Sequence, residues 1–238
     1  MNTLLPILKK EFLGYFRSPV GYVILAVFHL LAVGLAFFSG YYRSNQASLD
    51  IFFSFVPWIF LFFIPATGMR LWAEENRSGS IELLMTLPIS ISSAVIAKFL
   101  AAWGFIGIAL GLTFSLAITT GYLGDPDWGK IISGYFACLL IAGSFLSISS
   151  LCSAMTKNQV IAFVISVLIC FFATVLGSQF LASLVNKLPT AIANVVSNFS
   201  YLIHFQTMTR GLIELAALSF FLTTTAAFLA INIIILKR

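Results

Sequence analysis

Along the chain, apolar positions gather into six long unbroken runs, near 20–41, 51–69, 94–121, 130–154, 158–182 and 212–236. Each is long enough to cross a bilayer as a helix, for which about 20 apolar residues suffice. The runs are continuous and do not alternate, which points to helices that satisfy their own backbone and away from barrel strands. The pattern therefore predicts an all-α polytopic membrane protein with six transmembrane helices, in one transmembrane domain over 1–238.

The segments between the runs carry their own patterns. Ahead of the first run, Leu4, Leu5, Leu8, Phe12 and Tyr15 recur at helical spacing while Lys9, Lys10 and Arg17 supply positive charge. That combination predicts an N-terminal interfacial helix along the membrane surface. It lacks a small-residue cleavage site and is expected to be retained. Between runs two and three lies RLWAEENRSGSIELLMTLPIS (70–90), where three glutamates and two arginines crowd between Arg70 and Glu82. In a helix, Arg70, Glu74 and Arg77 share one charged face, and Ile81, Leu84, Met85 and Pro88 continue it as an apolar stripe. Gly79 is expected to break the helix, and the serines at 90, 92 and 93 to cap the third span. A broken amphipathic element with a charged and an apolar end suits a cytoplasmic docking role. GDPDWG (124–129) has the chemistry of a turn.

Within the runs, some positions speak to packing. Gly143, Ser147, Ser150 and Ala154 give span four a face of small residues, and Gly107 and Gly111, preceded by Gly104, form a GxxxG in span three. Such faces let helices approach closely, either as internal seams or as subunit contacts. Pro57 and Pro65 predict a kinked or broken second span, possible neighbours of a cavity. His29 is expected to bond a neighbouring helix, Arg210 and Glu214 to pair at helical i,i+4 spacing, and Trp103 and Trp128 to include interface anchors.

Composition removes the soluble reading. The chain of 238 residues is 60% hydrophobic and 9% charged, with a mean hydropathy of +1.04, against roughly 25% charged in soluble domains. Its net charge of +5 does not signal nucleic acid, because the basic residues stand at the ends of apolar runs, where they set topology and meet lipid headgroups. With the N-terminus inside, Lys9, Lys10, Arg17, Arg70, Arg77, Lys98, Lys157, Lys237 and Arg238 face the cytoplasm, and only Arg43, Lys130, Lys187 and Arg210 face out. Both termini are then cytoplasmic. Cys138, Cys152 and Cys170 fall inside spans at spacings that suit neither zinc nor a disulfide framework.

Candidate chemistry is sparse. No lysine is followed by Ser or Thr, so the chain has no P-loop; no cofactor or metal site and no catalytic constellation is expected. Intramembrane acids are almost missing, which argues against a self-powered carrier or channel. That carrier remains one rival reading; a scaffold that transmits force to an extracytoplasmic partner is another.

The segments KKEFLGYFRSPVGYVIL (9–25), ASLDIFFSFVPWIFLFFIPATGMRLWAEENRSGSIELLMTLPIS (47–90) and TKNQVIAFVISVLICFF (156–172) resemble the permease subunits of type-2 ABC transporters, most nearly the gliding-motility-associated subfamily. The pattern AEExRxGxxExLxxxP is met by Ala73, Glu74, Glu75, Arg77, Gly79, Glu82, Leu84 and Pro88. The resemblance implies a permease subunit of the bacterial inner membrane, an exporter in function class, that has no enzyme activity of its own. ATP and magnesium would sit on separate ATPase subunits, which the 70–90 segment would contact as a coupling helix. On this reading Glu74, Glu75, Arg77, Gly79, Glu82 and Leu84 carry the coupling, with Lys157 and Asn158 on the second inner loop. Reversing charge at Glu74 and Glu75 is expected to uncouple transport while leaving the fold intact. A second permease chain, identical or different, completes the transporter. The subfamily implies an auxiliary subunit with an extracytoplasmic domain, and the family a connection between spans five and six (183–211) that dips back into the membrane.

Overall fold

The computed structural model describes residues 4–41, 46–80, 90–176 and 199–237. Among these residues all regular structure is helical. In chain order the helices are α1 (Leu4–Arg17), α2 (Pro19–Phe38), α3 (Asp50–Gly68), α4 (Arg70–Ser78), α5 (Ile91–Leu123), α6 (Trp128–Met155), α7 (Gln159–Val175), α8 (Tyr201–Thr209) and α9 (Leu215–Leu236). Five stretches are long and apolar enough to cross a membrane: α2, α3 running into α4, α5, α6 and α9. The described apolar helix α7 is shorter, at 17 residues. The end of the predicted fifth span, 177–182, lies outside the described residues, as do Arg43, Lys187 and most of the 183–211 connection.

Local chemistry accounts for the helix ends. Proline at the first position of α2 follows an extended Ser18, as a residue before proline prefers. Ser90, Asp127 and Asn158 each accept a hydrogen bond from a backbone N–H in the first turn of α5, α6 and α7. The serine cap of the third span and the turn at 124–129 are thus as the sequence predicts. Gly79 adopts φ of 73° and closes α4, a conformation that favours glycine at a helix C-terminus.

The interior is built around α6. Almost every residue from Ala137 to Ala154 is buried, and α3, α4, α5, α7, α8 and α9 all pack on this helix. Small side chains make the crowding possible. A Cβ placed on Gly134 would stand 2.5 Å from the Phe53 ring, and one on Gly68 would stand 2.4 Å from Ser149 Oγ. Gly143 accommodates Trp103, whose Nε1 donates to the Leu139 carbonyl at 2.9 Å. Trp103 therefore bonds across the α5–α6 seam, whereas Trp128 is exposed at the start of α6. Gly107 meets Leu139 at ordinary contact distance, but Gly111 is exposed and a Cβ there would meet nothing within 4 Å. Among the described residues, Gly111 serves no seam.

Some expectations need correction. Pro57 and Pro65 do not break α3, which stays helical from Asp50 to Gly68; the interruption comes at Met69. Among the described residues His29 bonds no neighbouring helix: its Nδ1–H donates to the Leu25 carbonyl one turn back, at 3.1 Å. Arg210 and Glu214 form no ion pair among the described residues, because Gly211, at φ of 95°, ends α8 and Glu214 precedes α9. The two never share a helix. Helix α1 has no fully buried residue, yet it is more than a surface element: Tyr15 stacks on Phe105 of α5 at 4.6 Å between ring centroids.

Overpacking a filled seam costs about 1–3 kcal/mol. Gly134→Ala is expected to lower the thermal midpoint of the detergent-solubilised protein, read by size-exclusion after heating, while Gly111→Ala leaves it unchanged.

Candidate functional site

The charged stretch becomes, in its described part, a short helix strapped to the bundle. Its inward face is Leu71, Trp72 and Ala73, all buried, and its outward face is Arg70, Glu74 and Arg77, all exposed. None of these three has an ion-pair partner among the described residues. The predicted charged face is therefore exposed on α4.

The break at Met69 leaves backbone groups without intrahelical partners. Ser153 of α6 supplies them. Its hydroxyl donates to the Met69 carbonyl at 2.8 Å and accepts from the Trp72 and Ala73 amides at 3.0 and 2.9 Å. One turn earlier, Ser150 accepts from the Trp72 indole N–H at 3.2 Å and from Asn232 of α9 at 2.7 Å. Asn76 donates to the carbonyls of Ala154 and Thr156 at 3.0 and 3.3 Å. Helix α4 is thus fastened along the last two turns of α6 and the turn that follows.

A buried cation fixes the other side. Lys98, seven residues into α5, is 3% exposed. Its ammonium donates to Glu75 Oε1 at 2.7 Å and to the Leu71 carbonyl at 2.9 Å. Glu11 of α1 stands 3.6 Å away, and the Trp72 ring centroid lies 4.9 Å from Nζ. An ammonium has three donors and no acceptor, and burying it is costly unless carboxylates and carbonyls replace water. Here α1 and α4 supply them. Tyr15, beside Glu11, donates to the Thr67 carbonyl at 3.3 Å; burial, reinforced by the Glu11 carboxylate, pushes its phenol pKa up, so it stays a neutral donor.

The predicted site residues separate into groups. Glu74, Arg77 and Gly79 are exposed on α4, and Lys157 and Asn158 are exposed on the turn after α6. Asn76 bridges the two places through Thr156. Asn158 also caps α7, accepting from Val160 N–H at 2.9 Å. Glu82 and Leu84 lie outside the described residues. Glu75 points inward onto Lys98, so reversing its charge together with Glu74 would set two ammonium groups against each other and would not leave the fold intact. Ser150 ties three helices, and Ser147 donates to the Ser144 carbonyl of its own helix at 2.7 Å. Sequence reasoning overlooked Lys98, Ser153, Asn76 and Trp72. A lysine four residues inside a predicted span was the available signal for Lys98.

The family model for ABC-2 family transporter proteins matches residues 5–236. The chain belongs to this family: it is a multi-pass membrane protein, the permease component of an ABC transporter. No curated protein matches it in sequence.

Removing one partner of a buried pair costs about 3–5 kcal/mol. Lys98→Ala and Glu75→Lys are each expected to lower the thermal midpoint sharply, and the exchange Glu75→Lys/Lys98→Glu to recover part of the loss. A swap no better than either single variant would show that the pair's charges do not hold α4.

Proposed function

We propose that this chain is the membrane subunit of an ATP-driven exporter in the bacterial inner membrane. In this reading it has six spans and both termini in the cytoplasm. It pairs with a second permease chain, identical or different, and draws its work from separate ATPase subunits that hold ATP and magnesium. The AEExRxGxxExLxxxP pattern from Ala73 to Pro88 supports placing it near the gliding-motility-associated permeases, whose auxiliary extracytoplasmic subunit would then be a further partner.

One observation carries the reading. Among the described residues the outward face of α4 carries charges with no ion-pair partner, while its inward face is bonded to α5 and α6 and, through Lys98 of α5, linked to Glu11 of α1. A partner that pushes on Glu74, Arg77 and Gly79 therefore pushes on three membrane-associated helices at once. Lys157 and Asn158, on the turn that Asn76 holds to α4, extend the same contact surface. Glu82 and Leu84 would continue it along the chain. Glu75 takes a different part, holding α4 in place through Lys98. The unequal distribution of Lys and Arg supports this end of the bundle as the cytoplasmic one. Export is the direction proposed because the family resemblance carries it.

The double variant Glu74→Arg/Arg77→Glu changes only exposed side chains. In liposomes holding the chain with its co-purified ATPase, it is expected to abolish the stimulation of ATP hydrolysis by the membrane subunit while the thermal midpoint stays at the wild-type value. Unchanged stimulation would remove α4 as the coupling element.

A further inference from the structure

At the end of the bundle away from Lys98 lies a second feature that the coupling reading does not use. A cavity of about 620 Å³ is lined by Asp50, Ser54, Pro57 and Trp58 of α3, Lys130 of α6, and Gln206 and Arg210 at the end of α8, among others. Its size is that of small-molecule sites generally. Helix α8 makes it. Tyr201, the first residue of α8, packs on Phe145 at 5.4 Å between centroids. Phe145 is fifteen residues beyond Lys130, about 22 Å along α6 at roughly 1.5 Å per residue. The other end of α8 lies near the start of α6: Gly211 sits so close to Lys130 that a Cβ there would come within 3.2 Å of its Cγ. Helix α8 thus starts deep in the bundle and ends at its rim. Ser200, wholly buried, accepts from the Ile203 amide at that deep start. A helix that begins inside a membrane protein is tolerated where it is buried in protein or lines a cavity.

Both walls share one gradient of polarity. On α3 the lining passes from Asp50 and Ser54 at the rim to Pro57 and Trp58 below, about 12 Å by helix rise. On α8 it passes from Arg210, Thr209 and Gln206 to Phe205 and Leu202. Among the described residues, two cations and one carboxylate give the lining a net charge of +1, since Asp127 caps α6 and is not on the wall. Trp58 remains 38% exposed, leaving an aromatic face where an acyl chain would lie.

We infer that this cavity binds an anionic phospholipid, its phosphate held by Lys130 and Arg210 and its upper acyl chain against Trp58. Basic pockets between transmembrane helices recognise headgroups in this way. The inference does not depend on how ATP is coupled. Its test is tryptophan quenching of the purified chain in mixed micelles containing dibrominated phosphatidylglycerol or dibrominated phosphatidylcholine, with Trp58→Phe identifying the signal of that ring. The phosphatidylglycerol should quench Trp58 at the lower mole fraction. Lys130→Gln and Arg210→Gln should each raise its half-quenching mole fraction about fivefold, and Asp50→Asn should lower it. Opposite signs around one cavity are not a symptom of misfolding. Equal quenching by both lipids, or variants without effect, would overturn the inference. So would relief of quenching by millimolar inorganic phosphate, which would make this a site for the free anion.

Discussion

A lysine ammonium buried to within a few per cent of complete exclusion sets the terms for the rest of this molecule. Lys98 has to be met by negative charge and carbonyl oxygen. The groups that meet it come from α1, through Glu11, and from α4, through Glu75 and Leu71. Satisfying one cation therefore fixes the position of the interfacial helix and of the α4 segment against α5. Helix α5 is 33 residues long, roughly 50 Å by helix rise, well beyond a hydrocarbon core of about 30 Å. Lys98 stands near its first turns, where that surplus length lets a charge leave the hydrocarbon without leaving the protein.

The second constraint is polar but uncharged. Serines on α6 are buried, and they bond outward to other helices and not only to their own. Ser144 reaches the Phe221 carbonyl, Thr224 and Thr225 of α9; Ser150 joins Asn232 to Trp72; Ser153 mends the α3–α4 junction. Helices in a bilayer gain little from hydrophobic contact, since lipid is as apolar as leucine, so close approach and interhelical hydrogen bonds hold them. Through these serines a displacement of α4 reaches α6 and, by Asn232, α9.

The five stretches long enough to cross a membrane were legible because long apolar runs admit only one kind of structure in a bilayer. The glycine at 79, the serine at 90 and the turn at 124–129 were legible because each solves a local backbone problem. Contacts between distant residues were not. Ser153 looks like any other small residue in a serine-rich helix; only the break at Met69, some eighty positions earlier, gives it three bonds to make. The periodicity of α4 separated Arg70, Glu74 and Arg77 from Leu71 and Ala73, but it could not show that Glu75 turns inward, since that depends on a cation in another span. Prolines suggested a kinked or broken second span, yet α3 stays helical through both and the interruption comes at Met69. The GxxxG of span three read as an internal seam or a subunit contact; among the described residues a Cβ on Gly111 would meet nothing within 4 Å, while Gly134 and Gly68, outside any motif, are packed tightly.

Permease membership rests on the family match across residues 5–236, and the physical account adds that α4 is locked to the bundle so that it moves with it. Hydrogen exchange on the peptide covering 70–78 addresses that lock directly, in the wild-type chain and in Lys98→Met. If the lock exists, wild-type amides there, including those of Trp72 and Ala73, exchange as slowly as those of 140–155, and Lys98→Met releases 70–78 while 140–155 stays protected. Rapid exchange of 70–78 in the wild type, or protection unaltered by Lys98→Met, would contradict it.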